Sequence, residues 1–321
     1  MQTNRNLALA AAAISIGLLV FLGLTQPETL IPALNTFLMI GLGLGLGLLL
    51  HHRFDLPWGL FGVGALTFVL SQVGHIPFNM WLLNPWLAKI APQAEPGSGE
   101  LLIWAVFLGL SAGVFEETAR WLVLHFWRKD IRSWRSSLMF GAGHAGIEAI
   151  LVGVLAFIGF IQLFLYRQVD PQAITGLAEG DQLAYLRETV ASYWATDWWG
   201  HLWGALERFS VIPVHLAATV MVYRAVKDRR FLWYLAAVLW HTLVDFFAVY
   251  ASQTWSIPLT EGILFVLGML GWVIVFLLRD SHPPPEETPQ KIEEAKPPEV
   301  LMPAAQEQPL TIDDLEESRY D

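Results

Sequence analysis

The 321-residue chain contains no cysteine, so disulfides, thiolate nucleophiles and thiolate metal ligands are all excluded. Charge is scarce as well: Asp, Glu, Lys and Arg together make up 15 % of the residues. The 19 Lys and Arg fall mostly where membrane topology would put them, which leaves no basic surface for a nucleic acid. The helical zinc signature HExxH is missing. No apolar run carries the paired-aspartate patterns GxGD or YD.

What is abundant is apolar surface. Hydrophobic residues account for 55 % of the chain and the mean hydropathy is +0.47, values of an all-α polytopic membrane bundle rather than a soluble globule. The formal net charge of −10 is local. From Asp280 to Asp321 twelve Asp and Glu face only Lys291, Lys296 and Arg319, a balance of −9. Eight of the eighteen prolines lie there too. Such a composition buries too little apolar surface to fold, so residues 280–321 are expected to be a disordered acidic tail behind a membrane domain of residues 1–279.

Eight apolar segments approach the ~20 residues that cross ~30 Å of hydrocarbon. They run over 6–25, 29–50, 57–75, 101–127, 136–166, 203–225, 231–251 and 259–278. No small-residue cleavage site follows the first, which predicts an uncleaved anchor. An N-terminus inside gives the cytoplasmic ends Arg5, Arg53, "RKDIRSWR" (128–135), "RAVKDRR" (224–230) and Arg279. The outer loops then hold only Lys89, Arg167 and Arg187. By the positive-inside rule both termini are cytoplasmic and the chain is a multi-pass protein of the plasma membrane. Trp194, Trp198, Trp199 and Trp203 in the outer loop 167–202 fit an interfacial aromatic belt. In "IGLGLGLG" the pairs Gly41/Gly45 and Gly43/Gly47 read as helix-packing positions.

Ionisable residues concentrate in spans four to seven. "GVFEETARWLVLHF" supplies Glu116, Glu117 and Arg120, and "FGAGHAGIEAI" supplies His144 and Glu148. "ERFSVIPVH" supplies Glu207, Arg208 and His215, and "HTLVD" supplies His241 and Asp245. At ~1.5 Å per residue, Glu116 lies about 16 Å from the cytoplasmic end, His144 near 12 Å and Glu148 near 18 Å. His215 and His241 fall near 15 Å, and Asp245 near 21 Å. The helices alternate in direction, so nothing in the sequence order forces this agreement. The i,i+4 pairs Glu116/Arg120, His144/Glu148 and His241/Asp245 each share a helix face. His125, His75, His51 and His52 sit at span ends and read as interfacial.

A charge at bilayer depth costs ~2.5 kcal/mol or more unless paired or hydrated, so such a layer reads as a functional site. Carboxylates and imidazoles together are equipment for activating water. A glutamate can accept a proton from water attacking a carbonyl. The imidazoles can bind a metal that acidifies that water or donate to the oxyanion.

"EETAR", then "FGAGH" and "HTLVD", resemble the three motifs of the CAAX-prenyl protease and bacteriocin-processing intramembrane peptidases. The longer "FGAGHAGIEAI" and "ERFSVIPVH" resemble more specifically the YhfC-type intramembrane metalloproteases. The resemblance covers residues 101–251, the expected catalytic core. It implies Glu116 as general base, Glu117 in support and Arg120 holding the carboxylates. His144 and His241 would bind a metal or polarise the scissile carbonyl. Asp245 would orient water or the oxyanion, and Glu148 and His215 would be further ligands or their partners. The larger family has three residues between its Glu pair and Arg; here there are two, which turns Arg120 by about 100°.

These observations predict an intramembrane peptidase acting on a membrane-associated protein or peptide, with a divalent metal, zinc by its donors, or with none. Two other classes fit buried charge: an ion- or proton-coupled transporter, and a non-catalytic immunity or binding protein. The polar contrast between the first and last four spans weighs against the internal repeats of a transporter.

Overall fold

The computed structural model describes Thr25, residues 27–176 and residues 179–280. The expected first span and the tail beyond Asp280 lie outside the described residues, apart from Thr25. Among the described residues every regular element is helical. Seven helices among the described residues are long and apolar enough to cross a membrane.

Helix α1 spans Pro27–Phe54. Helix α2, Trp58–Phe78, continues through a π turn at Asn79–Leu83 into α3, Asn84–Ile90. Helix α4, Gly99–Leu122, ends in a second π turn at Val123–Trp127. The longest helix is α5, Trp134–Gln168. Two shorter helices follow: α6, Pro171–Thr175, and α7, Asp181–Ala195. A 3-10 turn at Trp198–Leu202 leads into α8, Trp203–Lys227. Helix α9 spans Leu232–Thr254 and α10 Ile257–Leu277.

Local chemistry explains the starts. Ser98 Oγ accepts from the Leu101 amide at 3.0 Å and caps α4. Ser133 and Ser136 form a reciprocal capping box at the start of α5. The third expected span needs correction, because its helical path runs on from residue 75 to Ile90. Polar Gln72, His75 and Asn79 interrupt the hydropathy there, and Pro77 lacks an amide hydrogen. The chain nevertheless stays helical, and the π turn directly follows the proline. The outer loop carries α6 and α7.

Helix α8 is the centre of the bundle. Of its apolar stretch 78 % is buried, against 17–39 % in the other six. It packs on α1, α4, α5, α9 and α10. Helices α2 and α5 meet backbone to backbone: a Cβ on Gly64 would collide with Phe140 O, and one on Gly143 with Phe61 O. That contact sets His144, the next residue, against α2. In α1 only every second glycine of the repeat is a contact. Gly43 lies against Gly146 O and Gly47 against Phe61, whereas Gly41 and Gly45 meet nothing within 4 Å. Residues two apart on a helix point away from each other, so the repeat supplies one packing face.

Asp280, the first residue assigned to the tail, is tied into the bundle. It accepts from the Trp134 amide at 2.9 Å, from Tyr223 Oη at 2.9 Å and from Lys227 Nζ at 2.6 Å. Burial works to raise its pKa, but these donors, Lys227 foremost, hold the carboxyl below its usual range.

Candidate active site

Five helices deliver polar side chains to one buried carboxylate. Glu116 on α4 is 5 % exposed. Its Oε2 lies 3.0 Å from His144 Nε2 on α5, 3.8 Å from His215 Nδ1 on α8 and 3.9 Å from His241 Nε2 on α9. Arg120, one turn along α4, places a guanidinium nitrogen 3.6 Å from the same oxygen. Glu116 Oε1 accepts from Gln72 Nε2 of α2 at 3.1 Å.

Glu117 and Arg120 are both fully buried. Arg120 Nη1 pairs with Glu117 Oε1, and its Nη2 donates to His215 Nδ1 at 3.0 Å. The short Glu-Glu to Arg spacing therefore does not turn Arg120 out of the site: at i+4 from Glu116 and i+3 from Glu117 it reaches both. Glu117 Oε1 also receives His241 Nδ1 at 2.7 Å. A carboxylate on Nδ1 favours the proton there, the usual arrangement behind an imidazole that binds a metal through Nε2, and this Nε2 lies between Glu116 and Asp245.

The i,i+4 partners His144 and Glu148 do not serve each other. His144 bonds Glu116. Glu148 Oε1 accepts from Arg208 Nη1 at 2.7 Å, and its Oε2 sits 2.6 Å from His215 Nε2. Arg208 is closed off in turn by Glu207. Asp245 Oδ2 is 3.6 Å from His241 Nε2, and its side chain is 36 % exposed, more open than Glu116, Glu117 or Glu148.

The donors that converge closely enough to hold one ion are Glu116, His215 and His241, with one atom from each within 4.8 Å of the others. Tetrahedral zinc with bonds of ~2.0–2.2 Å sets its ligands roughly 3.4 Å apart. The separations of 3.8 and 3.9 Å around Glu116 Oε2 are close to that, and one carboxylate with two imidazoles is a zinc-type donor set; an ion bound through His215 Nδ1 would take the place of the bond which that atom accepts from Arg120. His144 and Glu148 reach this trio by bonding its members.

A further string of polar groups on α2, the π turn that follows it and α4 is absent from the sequence motifs. Gln72 Oε1 is 3.2 Å from His75 Nδ1, and His75 Nε2 lies 2.9 Å from Asn79 Nδ2 and 3.1 Å from Ser111 Oγ. Gln72, His75 and Asn79 follow i, i+3, i+7, one helix face; that spacing is the signal for them. Ser111 sits in "GLSAG" (109–113), which has GxSxG spacing. Yet it lies inside a regular helix, bonded also to Leu108 O and Asn79 Oδ1, both at 2.9 Å, and not on the strained strand-to-helix turn of a serine nucleophile.

Comparison with known proteins places a family match over the same stretch of chain. The profile described as "YhfC intramembrane metalloprotease" matches residues 37–264, which takes in every residue of the cluster. The "Uncharacterized membrane protein YhfC" of Bacillus subtilis (strain 168) is 29 % identical over 229 residues, covering 70 % of this chain and 85 % of its own length. No solved structure matches. With a match that takes in five of the seven described membrane helices whole and part of the first and the last, the chain belongs to the YhfC intramembrane metalloprotease family.

Proposed function

We propose that this integral membrane protein is a peptidase of the plasma membrane, with both termini cytoplasmic, that hydrolyses a peptide bond in a membrane-associated or membrane-inserted substrate. The observation that carries the reading is the convergence of Glu116, His215 and His241 on one point, backed by Glu117, Glu148 and Arg120. A divalent metal held by the trio, zinc by its donors, would supply Lewis acidity toward water and the scissile carbonyl.

The chain's own groups do the rest. Glu116 presents Oε2 to the imidazoles and Oε1 to Gln72. One carboxylate can thus contribute to the cation site with one oxygen and take a proton from water with the other. As water adds to the carbonyl carbon, that proton passes to Glu116; when the C–N bond breaks it passes on to the departing amine. His144 holds Glu116 in place from α5. Arg120 supplies a fixed positive charge between two buried carboxylates. Asp245, the half-buried neighbour of His241, would orient the attacking water or the oxyanion.

Chelation tests this directly. Membranes containing the chain, mixed with a panel of membrane-inserted peptides, should release fragments. Release should stop with a divalent-metal chelator and return on adding zinc. Cleavage indifferent to chelation contradicts the metal-dependent reading.

A further inference from the structure

At the end of the bundle that carries "RKDIRSWR" and "RAVKDRR" lies a cavity of about 610 Å³. Its cationic wall is Lys129, Arg132, Lys227 and Arg229, its aromatic floor Trp121 and Phe231, and among the described residues no carboxylate lines it. His125, stacked on Trp121 at 4.7 Å, also lines it; at ~1.5 Å per residue it lies about 13 Å along the chain from Glu116. The cavity is therefore a different place from the catalytic cluster.

Topology alone accounts for basic residues at this end. It does not require four of them to converge on one hollow, nor the nearby acids to be occupied elsewhere. Asp130 pairs with Arg128, and Asp228 with Arg224. Lys227 is shared with Asp280 at 2.6 Å, and Arg132 donates to the Leu124 and Ile131 carbonyls. Among the described residues Lys129 and Arg229 meet no carboxylate. Beside the cavity Phe126, Trp127, Phe231 and Leu232 are each 55–78 % exposed, an apolar and aromatic rim of the kind found where bilayer meets water.

A cationic pocket with an aromatic floor, opening at the height of the headgroups, matches a ligand with an anionic head and apolar tails. We propose that it binds the phosphate headgroup of an anionic phospholipid from the surrounding leaflet, the acyl chains lying along Phe126 and Leu232. Basic pockets between membrane helices on the cytoplasmic side hold such headgroups.

The test is native mass spectrometry of the full chain released from bilayers of phosphatidylglycerol and phosphatidylcholine. Wild type should retain phosphatidylglycerol preferentially. Lys129→Gln with Arg229→Gln should weaken retention about thirtyfold, two charges' worth. The control pair Arg53→Gln with Arg135→Gln, basic residues of the same end outside the cavity, should change it less than about twofold. Lys129→Arg with Arg229→Lys should restore binding, and rising salt should weaken it in wild type, a readout that needs no variant to fold. Equal loss in test and control pairs, no preference for the anionic lipid, or glycerol phosphate binding as well as the lipid would each overturn the proposal.

Discussion

Glu116→Gln is expected to lower peptide release by about a hundredfold to ten-thousandfold, the range a positioned general base contributes. The amide keeps the volume and can still bond Gln72 and His144, so insertion and helix content should stay as in wild type. What it loses is the ability to take a proton, together with a negative charge facing three imidazoles and a guanidinium. The comparison is fragment release by mass spectrometry from equal amounts of folded wild type and variant. Turnover within threefold of wild type would remove Glu116 from the reaction.

Arg120→Met should cost about 3–5 kcal/mol of stability, the loss expected when one partner of a buried ion pair is deleted. Arg120 is fully buried, pairs with Glu117, lies 3.6 Å from Glu116 and donates to His215 at 3.0 Å. Methionine fills much of the space but leaves two carboxylates in hydrocarbon. Adding Glu117→Gln to the variant should recover part of the loss, because it removes one of those charges. Denaturant or thermal unfolding in detergent measures both. A single-variant loss below about 1 kcal/mol would mean that the carboxylates find other compensation.

Helices α4, α5, α8, α9 and α10 were legible because each is an apolar run between basic or turn-forming residues. The extension of α2 was not. Gln72, His75 and Asn79 lower the local hydropathy, and their partners Glu116 and Ser111 lie on another helix, beyond the reach of any local window. In the site, rise and helical facing placed the ionisable layer at one depth. They could not say which atom meets which. His144 and Glu148 share a face one turn apart, yet one bonds Glu116 while the other sits between Arg208 and His215. That division depends on how α5 and α8 pack, and the glycine contacts that set α5 against α1 and α2 are visible only in three dimensions.

The most direct measurement is elemental analysis of the full chain purified without chelator. Wild type should carry about one zinc per chain, His215→Ala and His241→Ala should carry almost none, and His144→Ala, which removes a residue outside the trio, should retain most of it. An ion-free wild type, or metal that persists when His241 is gone, would contradict a cation site built from Glu116, His215 and His241.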